Sequence, residues 1–226
     1  MKPLTHSYSS MRMFDNCPLR YYRQRIKKDV VDHGGEASIY GERVHESFEL
    51  RLKNKTPLPP ELGKHEKLCL GVEKLAVGGI LEPEKEMVLT KDLNVTGWYD
   101  DDAWLRLKAD VVVVTRDKQA VCLDWKTGKR RPDFFQLQLG ALQIFQHYPD
   151  VKRVATSFVW LKDNAALDSE GYTIVQKPAI EAKLRSKVER IEEALFEDVW
   201  PAKPGPLCNY CPAASTCSYA DTRRRR

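Results

Sequence analysis

Nothing in this chain approaches the roughly 20 consecutive apolar residues that a membrane-spanning helix requires. Its opening, Met1-Lys2-Pro3-Leu4-Thr5-His6, lacks the apolar stretch of a secretory leader. No membrane association is expected, and a cytoplasmic location is. The phosphate-cradling pattern Gly-x4-Gly-Lys-Ser/Thr is missing too, so the chain has no such loop of its own for ATP-driven work. Internal repeats and low-complexity tracts are absent. There is no strong excess of one charge: 37 Lys and Arg against 32 Asp and Glu leave +5. That balance is compatible with a polyanionic partner but is shared by many ordinary enzymes.

What is present suffices for one good core: 226 residues, 42% hydrophobic and 31% charged. A reducing cytoplasm makes structural disulfides poor candidates for the six cysteines, so their spacing is read for metal or cluster ligation. Basic residues gather at Arg20, Arg23, Arg25, Lys27 and Lys28, at Lys126, Lys129, Arg130 and Arg131, and at Arg223 to Arg226. Each run reads first as a solvated face, the last as a disordered tail, with phosphate contact as the functional alternative.

A serine cap predicts helix from Ser7 to Ile26, interrupted at Cys17-Pro18 because proline disfavours helix in the residue before it. Ile39, Val44, Phe48 and Leu52 place a core-facing stripe on a helix over 37–53, and 61–77 predicts another, closed by Gly78-Gly79. Strands are expected at 87–90, 95–99, 105–115 and 119–124, with Val111 to Val114 as a central apolar run. Asp117-Lys118 predicts a tight turn joining antiparallel neighbours. Helical periodicity over 134–148, a strand over 154–161 and an amphipathic helix over 180–196 complete the pattern. From Pro201 onward the chain is proline-rich around three cysteines.

In Cys122-Leu123-Asp124-Trp125-Lys126, strand alternation points Asp124 and Lys126 one way and Leu123 and Trp125 into packing. Asp110 begins the apolar strand just before, and an antiparallel pairing brings its carboxylate beside Asp124. Two adjacent carboxylates repel unless a cation lies between them, which makes the pair an oxygen-ligand site for Mg2+ or Mn2+. Lys126 would then orient water or offset charge on a phosphate. An isolated Asp-x-Lys match is more often a surface ion pair.

Its surroundings raise it. Asp124-Trp125-Lys126-Thr127-Gly128-Lys129 follows an Asp-led strand and precedes a helix carrying Gln136, and Gly41-Glu42-Arg43-Val44-His45 lies on an earlier helix. This arrangement resembles the PD-(D/E)xK nucleases of the RecB-like group over nearly the whole chain. The resemblance implies an α/β fold, with a restriction-endonuclease-like mixed β-sheet flanked by helices, an N-terminal helical segment and a C-terminal cysteine-bearing tail. It implies one RecB-like nuclease domain over 1–226: a helical part at 1–80, the nuclease sheet and inserted helix at 81–163, a strand and helix at 164–200, and the cysteine motif and basic tail at 201–226. It assigns Asp110, Asp124, Lys126 and Gln136 to catalysis and His45, Asp110 and Asp124 to the metal. Glu86 stands where relatives often carry a glutamate, although a solvated charge beside Glu82, Glu84 and Lys85 accounts for it equally well. Gly140 departs from the pattern, since relatives usually place a tyrosine there.

Three thiols in Cys208-x2-Cys211-x5-Cys217 hold either zinc or an iron-sulfur cluster, and spacing does not choose between them. The same resemblance, which takes in CRISPR-associated nucleases and the AddB nuclease domain, adds Cys17 as a fourth ligand and implies a 4Fe-4S cluster, with Zn2+ as the alternative. Cys69 and Cys122 read as small buried hydrophobes. DNA is the expected partner, contacted by Arg20, Tyr21, Tyr22, Lys129 and Arg130, with a helicase, recombination or CRISPR protein as a further partner. The expected activity is exonucleolytic or end-processing cleavage. A non-catalytic DNA-binding module on the same fold and a zinc-dependent binding tail are the competing readings.

Overall fold

A computed structural model describes residues 4–220, so the arginine run Arg223 to Arg226 lies outside the described residues. The chain divides into two compact units, one formed by Gly35–Ala182 with the residues through Thr5, the other by His6–Gly34 with the chain from Lys183 onward.

The first unit is built on a five-stranded mixed sheet in the order β1-β2-β3-β4-β5. Its strands are β1 (Ile80–Leu89), β2 (Leu105–Val114), β3 (Gln119–Lys126), β4 (Arg153–Trp160) and β5 (Ala166–Thr173). β1, β2 and β3 pair antiparallel, β3 and β4 parallel, β4 and β5 antiparallel. The parallel pair requires a crossover, supplied by the helix Phe134–His147, α5. Two further helices of this unit, α3 (Glu36–Asn54) and α4 (Glu66–Leu75), close one face of the sheet. Val44, Phe48 and Leu52 meet Val111, Val113, Trp125 and Val159 there, with the Phe48 and Trp125 rings 4.7 Å apart. Burying one such side chain is worth about 1.5–3 kcal/mol. Along β3, Val121, Leu123 and Trp125 join this cluster, while Cys122 approaches Gly140 and Asp124 bonds Gln136, both on α5. The period of two thus aims Asp124 at α5.

Five expectations change. Ile39 is 64% exposed and outside the stripe, which begins at Val44. Residues 95–99 form a loop with a single bridge, Leu89 to Val95, because the Asp100 carboxylate accepts from Gly97 N and Thr96 Oγ1 and folds the segment on itself. β1 begins at Ile80, seven residues before the expected 87: Pro83 masks it in sequence, yet an edge strand accommodates a proline. Asp110 sits in the middle of β2, which starts at Leu105. The expected helix over 61–77 is a 3-10 turn, Pro60–His65, followed by α4.

In the second unit, α1 (Tyr8–Asn16) is capped by Ser7, whose hydroxyl accepts from Ser10 N. Cys17 is extended, as the following proline demands, and α2 (Pro18–Tyr21) runs into a π-turn at Tyr22–Ile26. α6 (Lys177–Glu197) spans the boundary between the units and buries Ile180, Leu184, Val188 and Ile191 at helical spacing. Asp15 pairs with Lys187 and Arg190, and Trp200 lies among Phe14, Tyr21 and Tyr22. No helix among the described residues is long and apolar enough to cross a membrane.

Two glycines of the α4 region differ in what they carry. A Cβ on Gly79 would lie 2.1 Å from the Val114 carbonyl oxygen, whereas one on Gly71, exposed in α4, would meet nothing. Gly79→Ala is expected to lower the unfolding free energy by about 2 kcal/mol or more, and Gly71→Ala to raise it by about 0.5–1 kcal/mol. Urea denaturation of both variants checks the contrast.

Candidate active site

The ladder between β1 and β2 is continuous on either side of Glu84 and Asp110, with Pro83 opposite Val111 and Lys85 opposite Ala109. The β2–β3 ladder stops at Val111 opposite Leu123, so the next step outward places Asp110 across from Asp124. Three carboxylates therefore stand side by side where the strands part. Trp125 N, freed from the ladder, donates to Asp110 Oδ2 instead. Glu84 has φ 53°, a left-handed backbone that a non-glycine residue adopts at a cost and that reverses its side chain. Glu82, two residues earlier, bonds Tyr148 beside α5, whereas Glu84 turns toward His45 of α3.

His45 Nδ1 lies 3.0 Å from Asp110 Oδ1 and 3.9 Å from Glu84 Oε1. His45, Glu84 and Asp110 bring ligand atoms within 4.8 Å of one another. Gln136 Nε2 donates to Asp124 Oδ1 at 2.6 Å, and its Oε1 accepts from Lys126 Nζ at 3.1 Å. Lys126 Nζ is 2.6 Å from Asp124 Oδ2 and 5.0 Å from the centre of the Phe158 ring. The approach to Oδ2 is a charge contact without hydrogen-bond geometry, and no other donor among the described residues reaches that buried oxygen. Lys108 Nζ sits 2.7 Å from Glu84 Oε2.

Burial, and then the neighbouring Asp110 charge, push the Asp124 carboxyl up to about 6 against the pull of Lys126. Burial works against a charged His45, but its bond to Asp110 and the charges of Asp110, Asp124 and Glu84 outweigh it and raise the imidazole. The His45 shift reports the negative charge gathered around it, and the Asp124 shift reports chiefly its burial. The His45 imidazole and the Glu84 and Asp110 carboxylates form a donor set suited to a hard or borderline divalent cation, with the Asp124 carboxylate on the neighbouring strand outside that group.

Glu84 and Lys108 were missed by the sequence reading. Glu86, the candidate there, is exposed and lies opposite Lys108 in the ladder. Gly140, where relatives usually carry a tyrosine, is buried on α5, and an added Cβ there would touch Cys122 Sγ at 3.4 Å. Burial raises the Cys122 thiol, as expected of a buried hydrophobe. Tyr21 is 0% exposed, with Trp200 stacked at 6.1 Å and Phe14 edge-on at 5.6 Å, so no face is left for a base. Tyr22 is half-buried against Trp200. Arg20 bonds Gln24 and Asp32, and Arg130 bonds Asp163 and Asp168, while Lys129 is exposed. Cys17, Cys208, Cys211 and Cys217 line one cavity of about 40 Å3 in the second unit. Lys203 N lies 3.5 Å from Cys17 Sγ, and Gly205 N lies 3.4 Å from Cys208 Sγ.

Residues 70–218, more than half of the chain, match the family model of the PD-(D/E)XK nuclease superfamily. A crystal structure from Eubacterium rectale, of a protein assigned provisionally as an exonuclease, is similar in fold with a TM-score of 0.54 at 14% identity, covering 94% of this chain and 88% of that one. A second crystal structure, of SSO0001, aligns with a TM-score of 0.41 at 12% identity over 96% and 87% of the two chains. No curated protein matches the sequence.

The raised Asp124 carboxyl has a consequence for stability without metal. Its folded pKa of about 6 exceeds its ordinary value of 3.8, so the ionised group destabilises the fold above pH 6 and ceases to do so as pH falls toward 4. Asp124→Asn in EDTA is expected to be more stable than the wild type by about 1–3 kcal/mol at pH 8, the gap closing near pH 4. Urea midpoints across that range measure it; a less stable Asn variant at pH 8 contradicts the assignment.

Proposed function

We propose that this chain, which belongs to the PD-(D/E)XK nuclease superfamily, is a divalent-metal-dependent deoxyribonuclease whose centre is formed by His45, Glu84, Asp110, Asp124, Lys126 and Gln136. The observation that carries the reading is the His45, Glu84 and Asp110 group, whose ligand atoms lie within 4.8 Å of one another, beside the buried Asp124 carboxylate that the Lys126 ammonium meets at 2.6 Å. Mg2+ or Mn2+ held by His45, Asp110 and Asp124, with Glu84 as a further oxygen donor, would supply Lewis-acid polarisation of a phosphoryl oxygen. Lys126 carries a fixed positive charge toward the same place, where it offsets charge gathering on the phosphate and orients the attacking water. Gln136 holds Asp124 and Lys126 together through its two amide atoms, so neither drifts when substrate enters. Phe158, buried under Lys126, keeps the ammonium desolvated on one side. Asp110 fastens the His45 ring and the Trp125 amide with its two oxygens and so sets the spacing of the pair of strands.

The finer reading is an exonuclease or DNA-end-processing enzyme of recombination, repair, phage replication or CRISPR adaptation, working with a helicase or another partner protein. The exonuclease assignment of the Eubacterium rectale protein agrees with it. Cys17, Cys208, Cys211 and Cys217 are proposed to hold a 4Fe-4S cluster, with Zn2+ as the alternative. Their shared cavity and the amides directed at two of the sulfurs support a common sulfur-ligated group.

Cleavage of end-labelled single- and double-stranded DNA is expected to stop in EDTA. Asp110→Ala, Asp124→Ala and Lys126→Ala should lose about 100-fold or more in rate with circular dichroism unchanged. His45→Ala should need more metal for half-maximal rate. Undiminished cleavage by folded Asp124→Ala removes the central assignment. Anaerobically purified protein should contain iron and acid-labile sulfide, both lost in Cys217→Ser; one bound zinc keeps the four-cysteine site and discards the cluster, and no metal discards both.

A further inference from the structure

The segment 127–133, Thr127-Gly128-Lys129-Arg130-Arg131-Pro132-Asp133, connects β3 to α5. It is bracketed by site residues, for Lys126 precedes it and Gln136 follows it within the first turn of α5. At its start, Thr127 lines a cavity with His45, Glu84 and Asp110 and lies beside Gly41 of α3, where an added Cβ would make ordinary contact with Thr127 Oγ1 at 3.4 Å. At its end, Asp133 caps α5 by accepting from Phe135 N.

In the middle stand three consecutive cations with unequal surroundings. Arg130 presents a fork to Asp168 on β5, with Nε to Oδ2 at 2.9 Å and Nη2 to Oδ1 at 2.6 Å, and a third bond from Nη1 to Asp163 at 3.2 Å. Asp168 is itself held by Trp160 Nε1 at 2.8 Å, and its side chain is only 16% exposed. Lys129 and Arg131, on either side, are exposed and make no hydrogen bond or ion pair among the described residues. A guanidinium committed to two carboxylates has little left for a phosphate, whereas its neighbours are free cations held in place by it.

We propose that Arg130 is a positioning residue that latches this loop to the β4–β5 hairpin, and that Lys129 and Arg131 are the groups that contact the phosphates of the DNA strand entering the site. The proposal rests on the nuclease reading and refines its substrate contacts. A latch and a direct contact predict opposite signs. If Arg130 met phosphate, removing the Asp168 charge would free it and strengthen DNA binding. With Arg130 as a latch, the same removal loosens the loop and weakens binding, although the protein has become more positive. Lysine keeps the charge of Arg130 but not its fork, so it cannot replace a latch.

The test is steady-state cleavage of a labelled single strand by the full chain, with KM and kcat followed against salt. Asp168→Asn keeps an acceptor for Trp160 and is expected to raise KM about threefold to tenfold with a smaller change in kcat, and Arg130→Lys to do the same. Lys129→Ala and Arg131→Ala are each expected to reduce the slope of log affinity against log salt by about 0.7, the loss of one phosphate contact on a single strand. A KM that falls or stays constant in Asp168→Asn overturns the latch, as does a KM unchanged in Arg130→Lys. Unaltered salt slopes in Lys129→Ala and Arg131→Ala overturn the assignment of the phosphate contacts. Failure of the wild-type chain to cleave DNA at all defeats the nuclease reading instead, and is distinguishable because it precedes any comparison of variants.

Discussion

Mutual repulsion among Glu84, Asp110 and Asp124 is the constraint around which the first unit is arranged. Like charges this close in a half-buried site cannot all remain ionised without compensation, and the protein distributes that compensation over several elements. Lys126 lies against Asp124, Lys108 against Glu84, and His45 against Asp110, each carboxylate receiving one cationic or cationisable neighbour. For Asp124 the compensation does not outweigh burial and the Asp110 charge together, and its carboxyl is raised. A fold selected for stability alone would replace that buried carboxylate, and its retention fits the metal-dependent centre proposed above.

The surrounding architecture serves to hold this centre in place. The core of α3, α4 and the sheet is closed to solvent, with Val44, Phe48, Val111, Val113 and Trp125 all at most 2% exposed. Trp125 lies between the two site residues of β3, so its packing against Phe48 anchors Asp124 and Lys126 at once. On the other face α5 brings Gln136 into contact with both. The left-handed Glu84 is the local expense of the design: a regular strand would send that carboxylate toward the α5 face occupied by Glu82.

Much of this was legible in the sequence because it depends on short-range periodicity. The run Val111 to Val114, the turn at Asp117-Lys118 and the alternation through Asp124 and Lys126 led to the β2–β3 pair and to one shared patch, and the Ser7 cap and Pro18 break delimited α1. Other features depend on contacts that local patterns do not encode. β1 was shortened because Pro83 among alternating charges looks unlike a strand until it is known to lie at an edge. The family resemblance pointed to Glu86, and the left-handed backbone that turns Glu84 toward His45 has no signature in the sequence. Arg130 resembled a phosphate ligand because its partners Asp163 and Asp168 lie 33 and 38 residues away. Tyr21 looked available for stacking because the rings that enclose it come from Phe14 and from Trp200, distant in the chain.

A shared acidic centre differs from an ordinary group of surface carboxylates in one directly measurable respect, which is stoichiometric affinity for a divalent ion in the absence of DNA. Titration of Mn2+ into the metal-free chain, followed by the loss of its free-ion electron paramagnetic resonance signal, measures that affinity. The account predicts saturation at a tight site in the wild type, weakened by at least about tenfold in Asp110→Asn and in His45→Ala while both remain folded. Absence of saturable binding in the wild type, or equal binding in Asp110→Asn, would contradict it.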